Sequence, residues 1–317
     1  MRSTKLAENR NISLNLQTAK VFSILAVVIG HTIGDHFPFP FWVVVTVGLF
    51  IFSFSSGYFT YLKYNGTYSK RVFWKKKAER LAINWGVINS FLLSIFLVGN
   101  RSGISTWQSV INLLGLNGFL NWLHIENNSP FGLGLWFFTL LLLFYLCYPI
   151  LEYVFRTKQL SYMFSLLFIS GAFYLNQKLS YGHSLWLTSC GFIIGMFTAR
   201  NDLRISKYVS GIISAIILIL TIGINYIADI KQFDFFLVLF FCVFLIFFIN
   251  SIEFPTSLIT LTSYFSGCLL EIYLIHPYLN RKFVGHWPLD FLLSVSVILA
   301  TAKILQWISS RLKQIFL

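Results

Sequence analysis

The sequence predicts an all-α membrane protein, a bundle of about ten transmembrane helices with both termini in the cytoplasm. Three observations predict it. The first is composition: of 317 residues, 56% are hydrophobic, 19% aromatic and only 11% charged, whereas soluble domains carry roughly a quarter charged residues. The second is segmentation, because ten apolar stretches approach the roughly 20 residues that a helix needs to cross a bilayer. The third is the placement of Lys and Arg. With the N-terminus inside, 17 of them fall on inner loops and termini and 5 on outer ones, the asymmetry of the positive-inside rule. The net charge of +13 is thereby explained by topology, and no nucleic-acid partner is implied.

The expected spans lie near residues 16–34, 41–61, 81–99, 132–153, 160–176, 185–199, 208–226, 233–249, 258–278 and 289–308, within a single domain covering 1–317. Met1 to Leu14 is polar and basic, and no small-residue cleavage site follows the first apolar run, so no cleavable signal is expected. Cys147, Cys190, Cys242 and Cys268 each stand alone in an apolar run, without metal-ligand or CxxC spacing. They read as small buried hydrophobes, and no metal is expected.

Two loops are long. The inner one, 62–80, carries seven basic residues. In the outer one, 100–131, Trp107, Val110, Ile111 and Leu114 recur at helical spacing, which predicts a short helix lying in the outer interface. Asn127-Asn128-Ser129 there is a glycosylation sequon, too short a pattern to carry weight.

Candidate chemistry concentrates where ionisable groups stand inside spans, because such groups are costly and usually line an interior or a water-filled path. The first span carries Lys20 and His31. Eleven residues apart on a helix, they lie about 20° apart around the axis and roughly 16 Å along it. Lys20 can snorkel to the inner headgroups or line a path. His31 can be a hydrogen-bonded interfacial histidine, or a general base whose tautomer is set by Asp35, one turn further on. In the inner loop, Lys76, Lys77 and Arg80 share one helical turn. A topogenic cluster explains them, and so does a phosphate clamp for a nucleotide-bearing cofactor. Trp136 opens the fourth span, where an aromatic-belt position is the default.

The ninth span contains Glu271, Tyr273, His276 and Pro277. Glu271 is the least expected charge in the chain and should be protonated or paired, with a cation of the bundle as one partner. His276 lies at a depth like that of His31 and reads as either an interfacial cap or a site residue. Lys303 in the last span is expected to snorkel.

Taken in order, these fragments resemble the acyltransferase-3 family of integral membrane O-acyltransferases. The first span is similar to the family's basic residue and histidine separated by ten positions, here Lys20 and His31. The second resembles its Phe-rich segment ending Ser56-Gly57-Tyr58. The inner loop resembles its basic-x-x-Arg-Leu motif at Lys77, Arg80 and Leu81. The fourth span is similar to its Leu135-Trp136-Phe137 start with Tyr145 and Pro149 following. The ninth resembles its Ile-Tyr-Leu-x-His-Pro signature, Ile272 to Pro277. Two positions depart from the family: Lys20 stands where Arg is usual, which keeps the charge but loses the guanidinium fork, and Glu271 replaces a small or polar residue.

The resemblance implies acetyl transfer across the plasma membrane. Acetyl-CoA would bind from the cytoplasm with its phosphates at Lys76, Lys77 and Arg80. The acceptor would be a sugar hydroxyl of a surface polysaccharide or lipid-linked glycan. His31 would be the catalytic base, supported by Lys20 and Asp35, and Trp136, Glu271, Tyr273 and His276 would line the substrate pocket. The alternative is an exporter of polysaccharide or lipid-linked sugar, since buried charges suit a transport path as well. A scaffold without chemistry leaves the aligned Lys, His and Asp and the buried Glu271 unexplained.

Overall fold

The computed structural model describes residues 2–33, 41–66, 69–99, 104–133, 136–179, 181, 185–224, 234–280 and 284–316. Thirteen helices occupy the described residues: α1 (Arg2–Ile33), α2 (Phe41–Tyr64), α3 (Lys70–Val98), α4 (Thr106–Leu113), α5 (Asn117–Trp122), α6 (Trp136–Val154), α7 (Lys158–Lys178), α8 (Leu185–Asn201), α9 (Lys207–Ile222), α10 (Asp234–Ser251), α11 (Thr256–Ser266), α12 (Leu269–Leu279) and α13 (Trp287–Phe316). No strand occurs among them. Three starts follow from capping residues. Ser69, Thr157 and Ser206 adopt extended backbone, and their hydroxyls accept the amides of Val72, Leu160 and Val209, donors that a helix start otherwise leaves open.

Each expected span overlaps a helix among the described residues, but not every helix is long and apolar enough to cross a bilayer. Six are, those within α1, α2, α3, α6, α10 and α13, and the pair α11 and α12 makes a seventh if counted as one span. The ninth span, expected to be continuous, is interrupted at Gly267–Cys268. The inner loop is mostly helix, since α3 begins at Lys70.

The chain divides into two compact units, Met1–Val27 with Pro40–Asn65 and Glu152–Ser266, and Val28–Phe39 with Gly66–Leu151 and Gly267–Leu317. The first is built around α2 and α8. A Cβ placed on Gly57 would stand 2.1 Å from the Phe192 carbonyl oxygen, and one on Gly195 would stand 2.2 Å from that of Phe54. Only glycine permits backbones this close. Phe50, Phe54, Leu187, Cys190, Val238, Cys242 and Ile246 fill the surrounding core. Asn15 ties α1 to the end of α10, its amide donating to the Ile249 and Ile252 carbonyls at 2.9 and 2.8 Å. Thr18 and Thr262 share a hydrogen bond of 3.0 Å. Cys190, Cys242 and Cys268 are buried as expected, whereas Cys147 is exposed.

In the second unit α12 packs against α3 and α13. Aromatic and polar contacts of α3 hold α6 beside it. Phe73 stacks on Tyr148 at 4.7 Å, Trp85 on Phe138 at 4.6 Å, and the Trp74 indole donates to the Tyr145 carbonyl at 3.3 Å. Helix α4 has its polar side inward. Gln108 and Asn112 are buried, while Trp107, Val110 and Leu114 are exposed. Asn112 donates to Asn127, Ser129 and the Phe131 carbonyl at 2.9, 2.7 and 3.0 Å. The helical apolar repeat is therefore an outward face, as a helix in a membrane interface requires. Asn127, the sequon residue, is itself engaged in this network, donating to Phe131.

Candidate active site

Pro277 organises the end of α12. Proline has no N–H, so the carbonyl four residues earlier, that of Tyr273, receives no helical hydrogen bond from position 277. The His276 ring fills the vacancy, with Nδ1 2.7 Å from the Tyr273 oxygen. A carbonyl only accepts, so Nδ1 carries the hydrogen and the lone pair of the neutral imidazole falls on Nε2. His276 is 3% exposed, and Nε2 has no hydrogen-bond partner among the described residues. The tautomer of this imidazole is thus fixed by the His-Pro sequence itself.

His31 lies beside it, its ring centroid 5.3 Å from that of His276 and tilted by 41°. His31 is exposed where His276 is buried. Its position is held from α12. Asn280, just past the helix end, donates its amide to the His31 carbonyl at 3.0 Å, satisfying one of the acceptors that the end of α1 leaves open. The neighbouring Tyr278 hydroxyl accepts the Leu133 amide at 2.8 Å. Tyr273 packs edge-on to Phe137 at 5.7 Å, and Phe137 in turn to Trp136 at 6.1 Å.

Several expectations change at this point. Trp136 is 3% exposed, so it packs inside the unit and is not an aromatic-belt residue. Glu271 is fully buried, and its partner is the amide of Asn84 on α3, not a cation. Its second oxygen and the Asn84 side-chain oxygen have no hydrogen-bond partner among the described residues. Lys77 stands with its ammonium 3.7 Å from the centre of the Tyr145 ring, a cation–π contact that employs it inside the fold. Lys76 and Arg80 are exposed on the same stretch, and Lys75 bridges to Glu79 at 3.7 Å. Lys303 donates to Gln306 at 3.0 Å. Lys20 is half-buried in the first unit. Asp35 and Leu135 lie outside the described residues.

The structure therefore brings together His31, His276 and Tyr273, with Phe137 and Trp136 behind them. Sequence reasoning missed Asn84, Asn280 and Tyr278. The signal for Asn84 was an amide in an otherwise apolar stretch. Asn280 stands in the position just after a helix that ends past a proline.

Residues 13–308 match the acyltransferase domain of the acyltransferase-3 family. The chain belongs to the acyltransferase-3 family. No curated protein and no solved structure matches it. The match spans nearly the whole chain and includes both histidines and the α3 basic turn. With its apolar helices, the protein is a membrane acyltransferase. The family assignment gives no support to export as the activity.

Proposed function

We propose that this acyltransferase moves an acetyl group from acetyl-CoA to a sugar hydroxyl of a surface polysaccharide or lipid-linked glycan. The observation that carries the reading is the pair of imidazoles, His31 exposed and His276 buried, 5.3 Å apart within one unit. Acyl transfer to an alcohol needs a base near the acceptor. His31, the accessible ring, takes the hydroxyl proton while the oxygen attacks the thioester carbon. The C–S bond breaks, and coenzyme A leaves as the thiol carrying that proton. His276, buried and held by the Tyr273 carbonyl, packs against the His31 ring and positions it.

In this reading the coenzyme's phosphates meet the exposed Lys76 and Arg80 on the cytoplasmic side. Lys77 contributes by holding α3 against α6. Lys20 and Asp35 belong to the same proposal as supporting groups of the first span. The full arrangement is ten crossings of the plasma membrane with both termini cytoplasmic, α7, α8, α9 and the pair α11 and α12 adding four to the six that are long and apolar enough on their own.

The test is mass comparison of surface glycans from wild-type cells, deletion cells and cells making His31→Ala protein. Glycan that persists but loses an acetyl-sized mass in both mutants is the expected result. Fully acetylated glycan in the deletion strain would overturn the reading, and loss of the glycan itself would indicate export.

A further inference from the structure

Glu271 on α12 is fully buried, and Asn84 on α3, in the same unit, is 9% exposed. The Asn84 amide nitrogen donates to one carboxyl oxygen, Oε1. Two buried oxygens, Oε2 of Glu271 and Oδ1 of Asn84, then have no hydrogen-bond partner among the described residues. An amide oxygen only accepts, and so does each oxygen of a carboxylate, so the two cannot satisfy each other. One added hydrogen satisfies both. A carboxyl protonated on Oε2 donates to Oδ1 while Nδ2 donates to Oε1. Each group is planar and carries its two polar atoms on one carbon, so the two bonds close a ring.

The charges within electrostatic reach of Glu271 are Lys303 and Lys313, both half-buried on α13. From α3 the carboxyl meets the neutral Asn84, and Arg80, one turn earlier, is exposed. On α12 itself the Cys268 thiol is the nearby titratable group. The two ammoniums favour a carboxylate, but an ion pair would place one of them on an oxygen of Glu271. Oε2 has no such partner, and the Lys303 ammonium donates to Gln306 at 3.0 Å. A carboxylate buried without a bonded cation is costly, and the neutral acid removes that cost.

The pair stands at one end of a short rod. Helix α12 has 11 residues, with Glu271 in its first turn and His276 in its last. Just beyond it, Asn280 holds the His31 carbonyl. The rod is thus bonded to α3 at one end and to α1 at the other, where both imidazoles stand.

We propose that Glu271 is the neutral carboxylic acid in a two-bond ring with Asn84, and that this ring is a positioning device. It fixes α12 on α3 and so sets where His276 holds His31. The positioning role rests on the acetyl-transfer reading above, whereas the protonated ring does not.

Infrared spectra of the purified full chain at neutral pH test the ring without an activity assay. Wild type minus Glu271→Gln should show the carbonyl stretch of a protonated carboxylic acid. That band should move to higher wavenumber in Asn84→Leu, which lacks both ring bonds. Absence of the band, which an ionised Glu271 bridged to Asn84 by a water would give, overturns the proposal, and so does a band that Asn84→Leu leaves in place. Glu271→Gln is nearly isosteric, so this comparison holds whether or not Glu271→Leu folds. Acetyl transfer in reconstituted vesicles tests positioning. Glu271→Leu should lose about 10- to 100-fold in kcat with KM for acetyl-CoA unchanged. Glu271→Gln, whose amide can close the same ring, should recover most of that loss. Undiminished transfer in Glu271→Leu, equal loss in both variants, or a loss carried by KM would overturn the positioning role. Wild-type protein that shows the band but transfers no acetyl group would refute the acetyl-transfer reading and leave the ring standing.

Discussion

The α2–α8 core of the first unit and the α12 neighbourhood of the second solve the problem of burial in opposite ways. Around α2 and α8, backbones meet through Gly57, Gly191 and Gly195 with large apolar side chains closing the gaps. Around α12, the same burial admits a carboxyl, an imidazole and an asparagine: Glu271, His276 and Asn84. The first arrangement draws on close van der Waals contact, which drives helix association where lipid is as apolar as the side chains. The second draws on specific hydrogen bonds. Burying such groups is costly, and α12 carries two of the three, Glu271 and His276. In the proposed function the first region is scaffold and the second carries the chemistry.

The largest effects should fall on activity in the second unit. His31→Ala and His276→Ala are each expected to lose about 100-fold or more in transfer rate. The exposed His31→Ala protein should melt at the wild-type temperature, whereas His276→Ala empties a buried position and orphans the Tyr273 carbonyl and should also melt lower. The double variant should be little worse than either, because residues that act as a unit are not additive. In the first unit the effect should be on folding instead. Gly57→Leu and Gly195→Leu drive a side chain onto a carbonyl oxygen, at a cost of about 3 kcal/mol or more. Thermal melts and the yield of inserted protein should both fall, while Gly171→Leu changes neither.

How much of this was legible in the sequence depends on the range of the interaction. Helices, the outward apolar face of α4 and the two candidate histidines follow from local spacing, and the structure places the histidines side by side. The fixed tautomer of His276 is also local, since Pro277 and Tyr273 are four residues apart. What failed was long-range or depended on packing. Asn84 and Glu271 are 187 residues apart, and periodicity alone gives no reason to join them. Trp136 has the composition of a belt residue, but its burial is decided by Phe137 and the helices around it. The interruption at Gly267–Cys268 was hidden because the residues on both sides continue an apolar run.

Smaller effects sharpen the same contrast. Asn84→Leu strips Glu271 of its donor and should cost about 1–3 kcal/mol in unfolding free energy, whereas Asn84→Leu with Glu271→Leu should recover much of it, because removing both partners leaves no unsatisfied group. A double variant no more stable than Asn84→Leu would mean that Glu271 has a further role in the unit. Asn280→Ala, which frees the His31 carbonyl, should lower stability by about 1 kcal/mol and slow transfer several-fold through loss of positioning. Lys77→Gln removes the contact with Tyr145 and should cost about 0.5–1 kcal/mol without changing acetyl-CoA affinity, in contrast to Lys76→Gln.

The most direct measurement is transfer of radiolabelled acetyl groups from acetyl-CoA to glycan in inverted membrane vesicles, with wild-type, His31→Ala and His276→Ala protein matched for amount. The two-imidazole account predicts label in the wild-type glycan and its loss in both variants. Wild-type labelling in either variant would contradict it.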